Sequence, residues 1–132
     1  MQTQIMQMLD QSLEVKKDMV TRCMDDIIKV TKVIENALRN KNKILLFGNG
    51  GSAADAQHLA AEFINRFRIN RRPLAAIALT TDTSVITSIA NDFGYEQIFE
   101  KQVQALVQME VHLLMQERLH LLLLLLRHLH AS

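Results

Sequence analysis

The sequence has a single cysteine, Cys23, which excludes an internal disulfide framework of the kind that holds small secreted domains together. It also has only one proline and four glycines, and residues 1–40 contain no helix breaker. No uninterrupted apolar run is longer than the six residues of 121–126, which is far shorter than the roughly twenty residues of a membrane-spanning helix. The amino terminus lacks the basic and then apolar pattern of a secretory signal. We therefore expect a cytoplasmic protein with no membrane partner.

Charge of one sign is not in excess, because 15 basic residues stand against 14 acidic ones and leave a formal net charge of +1. Such a chain has no global field that would draw it to nucleic acid or to an anionic membrane, and neither is expected as a partner. Its 132 residues suffice for one core but are few for an open sheet covered by helices on both faces. Part of the core is therefore either supplied by a partner or missing, and we expect a homo-oligomer, because a monomer of this size would leave apolar surface exposed.

The chain divides into a helical segment (1–40), a segment in which strands and helices alternate (41–108), and a tail rich in leucine and histidine (109–132). The first segment predicts one or two amphipathic helices that pack on their own domain or on a twin subunit. Its apolar residues recur mostly at steps of three, four or seven, at Ile5, Leu9, Leu13, Val20, Met24, Ile27, Ile34 and Leu38.

The middle segment changes its hydrophobic period twice. An apolar run at 44–47 leads into a glycine-rich turn and a predicted helix over 53–66, and a second apolar run at 74–79 leads through polar residues into a helical stretch over 85–90. Strands and helices that alternate on short connections predict an α/β fold with a parallel sheet. In such sheets ligands bind beyond the carboxyl ends of the strands, where both polar loops lie.

The glycine-rich turn, GNGGS at 48–52, joins a strand to a helix and is a candidate anion site. Its glycines can expose backbone N–H groups, and the helix dipole favours a phosphate there. Ser52 can cap the helix through its hydroxyl group. A plain tight turn is the alternative. Asn49 can either orient a substrate oxygen or adopt a left-handed conformation.

His58 and Glu62 are four residues apart, so they lie on one face of the predicted helix. An imidazole and a carboxylate placed in this way can bind zinc, or they can serve as a base and its orienting partner. An ordinary surface pair is the alternative. Two ligands do not complete a zinc site, and a further ligand would have to come from elsewhere in this chain or from another.

Two further polar stretches allow both a structural and a functional interpretation. The turn NDFG at 91–94 is typical of a helix end, and Asp92 could also take a proton or bind a sugar hydroxyl group. A basic run is typical of a solvated loop, although its guanidinium groups would also suit a phosphate. This run consists of Arg66, Arg68, Arg71 and Arg72.

Four of these stretches, 48–58, 60–62, 76–84 and 91–94, closely resemble the phosphoheptose isomerases, bacterial enzymes with a sugar isomerase (SIS) domain. The resemblance covers about residues 1–107. It implies the N-terminal half of a flavodoxin-like SIS fold and homotetramers whose sites lie between subunits. It also implies conversion of sedoheptulose 7-phosphate to D-glycero-D-manno-heptose 7-phosphate, which serves heptose and lipopolysaccharide synthesis.

The same resemblance implies roles for single residues. Asn49, Gly50, Gly51 and Ser52 would bind the sugar phosphate, and Asp92 would line the site. His58 and Glu62 would be two of the zinc ligands, with Glu62 also in the proton transfer.

A related SIS protein that associates with the bacterial replication initiator offers a non-catalytic alternative, because residues 64–67 (INRF) also resemble that protein. Glu62, Gly51 and the turn at 91–94 favour the enzymes, since the initiator-binding relatives lack the helix glutamate.

The tail at 109–132 departs from the family pattern. It holds ten leucines and four of the five histidines, and the family's Ser-Thr-Ser-Gly phosphate loop and remaining zinc ligands are not recognisable in it. A shifted reading frame, a fusion, an internal deletion and a natural apolar helix over a sheet edge are the alternatives. We expect an apolar helix here, and little or no activity from the chain in isolation.

Overall fold

The computed structural model describes residues 1–66, 68–106 and 112–113. The chain forms two compact units, of which the first comprises residues 1–32 and the second begins at Val33. Within the described ranges, no helix combines the length and the apolar character needed to cross a membrane.

The predicted N-terminal helical segment is one helix, α1 (Gln2–Arg39). It ends in a Schellman motif, in which Lys41 takes a left-handed conformation with φ of 62°. The amide of Lys41 donates to the carbonyl oxygen of Leu38 at 3.2 Å, and the amide of Asn42 donates to that of Ala37 at 2.9 Å. These bonds satisfy carbonyl groups at the helix end and turn the chain directly into the first strand.

Three parallel strands form a sheet in the order β2-β1-β3, with β1 at Ile44–Leu46, β2 at Ala76–Ala78 and β3 at His112–Leu113. All three residues of β1 are buried, as expected for a strand with neighbours on both sides and covered faces. This order is the beginning of the flavodoxin-like sheet, so the predicted α/β class is confirmed.

Two predictions about the sheet need correction. The sequence predicted two strands, whereas the described residues form three, because β1 pairs with β3 on the side that β2 leaves free. The expected apolar C-terminal helix is wrong at His112–Leu113, where backbone pairing with β1 decides the conformation. The rest of that predicted helix lies outside the described residues.

The helix after β1, α2 (Gly51–Ile64), buries an apolar face beside β1 and β2. The buried residues follow the spacing of one helical face and are Ala56, Leu59, Ala60 and Phe63. After β2 come α3 (Thr83–Phe93), a short 3-10 helix (Tyr95–Gln97) and α4 (Ile98–Leu106). The ring centroids of Phe47 and Phe99 lie 5.0 Å apart, so α4 packs next to the carboxyl end of β1.

Candidate functional site

The glycine loop between β1 and α2 requires glycine at position 48 because of a close approach, and at position 50 because of a positive φ. A Cβ atom on Gly48 would lie 2.6 Å from Cβ of Ser52, which is closer than two carbon atoms can approach. Gly50 has φ of 56° and is the N-cap of α2, and its carbonyl oxygen accepts from the amide of Ala53 at 3.1 Å. The first turn of α2 therefore begins directly at the carboxyl end of β1, where the dipole favours an anion.

The prediction that Ser52 caps α2 through its hydroxyl group is wrong. Ser52 is the second residue of the helix, and Gly50 occupies the N-cap position without any side-chain capping bond. The left-handed glycine conformation already starts the helix, so the hydroxyl group of Ser52 is not used as its cap. The proposed contact between Ser52 and substrate stays a prediction.

Asn49 is exposed in the glycine loop and is joined to a distant part of the chain. Its Oδ1 atom accepts a hydrogen bond from the hydroxyl group of Tyr95 at 2.9 Å. Lys41 is the only described residue other than glycine with positive φ, so the left-handed alternative for Asn49 is wrong. Oδ1 accepts this bond, and the Nδ2 group remains to donate to a substrate oxygen. The sequence analysis missed Tyr95, although it is the only tyrosine and directly follows the turn at 91–94.

Asp92 lies in the last turn of α3, three residues before Tyr95, and is exposed. Its Oδ1 atom accepts from Nδ2 of Asn91 at 2.9 Å. Gly94 follows as the C-cap with φ of 104°, which confirms the predicted helix end. The Tyr95 bond therefore brings the turn that carries Asp92 towards the glycine loop.

The polar loop after β2 is tied to α2 as well. Nε2 of Gln57 donates to Oγ1 of Thr80 at 3.1 Å, and Asp82 caps α3 by accepting from the amide of Val85 at 3.0 Å. The loops that follow β1 and β2 therefore lie at one edge of the sheet, as parallel strands require.

His58 and Glu62 lie on one face of α2, and the structure brings their polar atoms close to each other. Nε2 of His58 is 3.9 Å from Oε1 of Glu62, and the side chains are 61% and 19% exposed. The other carboxylate oxygen of Glu62, Oε2, is buried and has no hydrogen-bond partner. A half-buried carboxylate with an unsatisfied oxygen differs from the ordinary solvated surface pair.

The donor types and their separation fit part of a zinc site. Two ligand atoms that each lie about 2.1 Å from a tetrahedral zinc are about 3.4 Å apart, so a small side-chain adjustment would suffice for this pair. Among the described residues no group of three potential metal ligands occurs, so these two would need further ligands.

Three of the four arginines of the basic run have partners in different places. Arg71 turns onto the end of α2, where it donates to the carbonyl oxygens of Glu62 at 2.7 Å and Phe63 at 2.8 Å. Arg72 donates to the carbonyl oxygen of Leu38 at 3.1 Å, and Arg66 bonds to Asn70. Arg71 was predicted only as a solvated or phosphate-binding residue, and the structure gives it a contact with the candidate site.

Comparison with known proteins identifies the family to which this fold belongs. The family model of the SIS domain matches residues 7–114, so the chain belongs to the SIS domain family. The match includes β3, beyond the limit of about 107 expected for the resemblance.

Within that family, the resemblance to phosphoheptose isomerases is confirmed. The chain is 58% identical over 96 residues to the phosphoheptose isomerase of Aquifex aeolicus, with 73% of this chain and 50% of the relative covered. It is 50% identical over 98 residues to that of Roseiflexus, with 74% and 50% covered. These matches give no support to the alternative of a replication-initiator-associating protein. The chain spans about half the length of the curated relatives it matches.

Solved structures of two phosphoheptose isomerases have the same fold. The Francisella tularensis protein aligns with a TM-score of 0.77 at 36% identity, with 84% of this chain and 58% of the other covered. The Neisseria gonorrhoeae protein aligns with a TM-score of 0.70 at 40% identity, with 80% and 54% covered.

Proposed function

We propose that this chain supplies the N-terminal half of a phosphoheptose isomerase site, which converts sedoheptulose 7-phosphate to D-glycero-D-manno-heptose 7-phosphate. The proposed setting is the cytoplasm, in a homo-oligomer that is a tetramer by analogy with the family. The product would serve the synthesis of heptose for lipopolysaccharide.

The observation that carries this proposal is the environment of Glu62. Its carboxylate is 19% exposed, has one buried oxygen without a partner, and lies 3.9 Å from His58. A carboxylate that is neither fully solvated nor satisfied by the protein is available to a metal ion or to a substrate proton. Glu62 lies on α2, the helix that the glycine loop joins to the end of β1.

The reaction requires a base beside the carbonyl group of the ketose. In the proposed role, Glu62 removes a proton from C1, a C1–C2 double bond forms, and the C2 carbonyl oxygen takes a proton to give an enediol. The O1 proton then leaves as the C1 carbonyl forms, and C2 takes a proton to give the aldose. Atoms and electrons balance within the substrate, so no external oxidant or reductant is needed.

The glycine loop and its neighbours would hold the substrate. Nδ2 of Asn49 would donate to a sugar oxygen, and the amides of Gly50 and Gly51, with Ser52, would hold an anionic group at the start of α2. Asp92 would accept from a sugar hydroxyl group. His58 and Glu62 would hold zinc, which when bound polarises a substrate oxygen.

A chimera tests this proposal, because the chain spans half of its relatives. Residues 1–106 would replace the corresponding half of the Aquifex aeolicus phosphoheptose isomerase, which is 58% identical in the aligned region. We expect the chimera to isomerise sedoheptulose 7-phosphate. Glu62→Gln, which keeps the size of the side chain but removes the base, should lower kcat by about 10²- to 10⁴-fold.

The isolated chain should show little or no turnover. In the chimera Glu14→Gln serves as the control, because Glu14 is an exposed glutamate on α1, outside the glycine loop and α2. A Glu62→Gln chimera that keeps full kcat would refute the role of the base. An isolated chain with a turnover of about 1 to 10³ per second, the usual range of enzymes, would show that the second half of its relatives is dispensable.

A further inference from the structure

Arg71 lies in the connection between α2 and β2, and its guanidinium group turns back onto the end of α2. Nη2 donates to the carbonyl oxygen of Glu62 at 2.7 Å, and Nη1 donates to that of Phe63 at 2.8 Å. Carbonyl groups in the last turn of a helix have no partner within the helix. A guanidinium group is a rigid planar fork, so two adjacent carbonyl acceptors hold it in one orientation.

Arg71 and Glu62 also carry buried polar atoms that have no hydrogen-bond partner. In the part of the chain that the structure describes, the buried side-chain nitrogen and oxygen atoms without a hydrogen-bond partner are Nε of Arg71 and Oε2 of Glu62. Burial, the largest influence, lowers the pKa of the Arg71 guanidinium, whereas attraction to the Glu62 carboxylate raises it. Arg71 and the Glu62 carboxylate therefore attract each other by charge without the close contact of an ion pair, and the direct bond from Arg71 is to the Glu62 backbone.

We propose that Arg71 is a positioning residue for Glu62: it fixes the last turn of α2 by its carbonyl groups, and its charge orients the carboxylate beside His58. This inference rests on the proposed function of Glu62 as a metal ligand and base. If Arg71 had only a structural role, it would act through the backbone carbonyl groups alone. The effect of replacing Arg71 would then not depend on the side chain at position 62. The two possibilities therefore differ in a measurable way.

A double-mutant cycle on the full 132-residue chain separates them without any metal. The midpoint of urea unfolding would be measured for wild type, Arg71→Gln, Glu62→Gln and the double variant. We expect Arg71→Gln to lower the midpoint of the wild type, and to lower the midpoint of the Glu62→Gln background by less than half as much. Equal shifts in the two backgrounds would overturn the proposal, because independent sites add.

A second measurement follows the metal pair itself. Co²⁺ titration, read by visible absorbance, should give an affinity about 10- to 100-fold weaker for Arg71→Gln than for wild type, the usual effect of removing a group that orients a metal ligand. Arg72→Gln is the matched control, because it removes the same charge from a residue that bonds to Leu38 rather than to α2. Unchanged Co²⁺ affinity in Arg71→Gln would overturn the proposal.

Failure of the proposed function would give a different set of results in these experiments. If the wild-type chain bound no Co²⁺, the metal role of His58 and Glu62 would fail, and the unfolding cycle alone would decide whether Arg71 and Glu62 are coupled. If Arg71→Gln did not fold, Arg71→Lys would take its place in the cycle, since it keeps the charge but cannot present a fork to both carbonyl groups.

Discussion

The hydroxyl group of Tyr95 donates a hydrogen bond of 2.9 Å to Oδ1 of Asn49, and so joins the turn after α3 to the glycine loop after β1. The bond fixes which end of the Asn49 amide points away from Tyr95. An asparagine held in this way directs its Nδ2 donors away from Tyr95, where an incoming ligand can accept from them.

Removal of that hydroxyl group should impair substrate binding more than folding. We expect Tyr95→Phe in the chimera to raise KM about 2- to 10-fold, because one hydrogen bond contributes about 0.5 to 1.5 kcal/mol. The free energy of unfolding should change by no more than about 0.5 kcal/mol, since the side chain is 59% exposed. If Asn49→Ala raised KM and Tyr95→Phe left it unchanged, the orienting role of Tyr95 would be refuted.

Gly48 and Gly51 provide a matched pair for the geometry of the glycine loop. Gly48→Ala would place a Cβ atom 2.6 Å from Cβ of Ser52, whereas Gly51→Ala would meet nothing within 4 Å. We expect Gly48→Ala to lower the free energy of unfolding by about 1 to 3 kcal/mol, the usual effect of overpacking, and Gly51→Ala to leave it equal or slightly higher. Denaturant unfolding monitored by circular dichroism measures both, and equal stability of the two variants would contradict the close approach at Gly48.

Zinc binding by the isolated chain should be weak, because the described residues supply two ligands of the set. Isothermal titration calorimetry should show that His58→Ala and Glu62→Ala each reduce the affinity further. Glu35→Ala is the control, since Glu35 pairs with Arg39 on α1. Zinc that survived dialysis equally in wild type and in Glu62→Ala would refute the pair. Such a result would point to tail histidines such as His120, which lies outside the described residues.

An apolar stripe on the first unit predicts self-association. Its residues are at least two-fifths exposed and lie four or seven positions apart, at Ile5, Leu9, Leu13, Val20, Met24 and Ile28. We expect light scattering to show a homo-oligomer, and we expect the double variant Leu9→Lys/Leu13→Lys to reduce the mass towards that of a monomer. Gln7→Lys/Gln11→Lys adds the same charge to the opposite side of the helix and should leave the assembly intact. A wild-type chain of 15.1 kDa in solution would refute this prediction.

The sequence predicted the part of the fold from β1 to α3, because the local signals there agree. The apolar run before the glycine turn forms β1, and the stretch without helix breakers after it forms α2. Helix α2 starts at Gly51 rather than at 53, because Gly50 is its N-cap. The second apolar run, 74–79, contains a shorter strand than predicted, β2 at Ala76–Ala78, since these are the residues that pair in register with β1. Helix α3 begins at Thr83 rather than at 85 because Asp82 caps it.

The features that were missed depend on partners distant in the chain. A strand of two residues, His112–Leu113, has no periodicity of its own, and it is defined only by its pairing with β1. The contact of Arg71 was equally unpredictable, because a basic run gives no information on which helix carbonyl groups lie within reach. Local patterns predict where a helix or strand begins, whereas the fate of a long polar side chain depends on the completed fold.

The position of β1 between two parallel neighbours also has a consequence for the order of events during synthesis. Ile44 pairs with Ala76 on one side and with His112 on the other, and parallel strands cannot be joined by a tight hairpin. Each pairing must therefore close a long loop of chain, which makes such sheets slow to form. On a translating ribosome, β1 and α2 emerge well before β3, so the central strand must wait with one side unpaired. An unpaired strand edge is prone to aggregation, so the nascent chain is most exposed to it in the interval before β3 arrives.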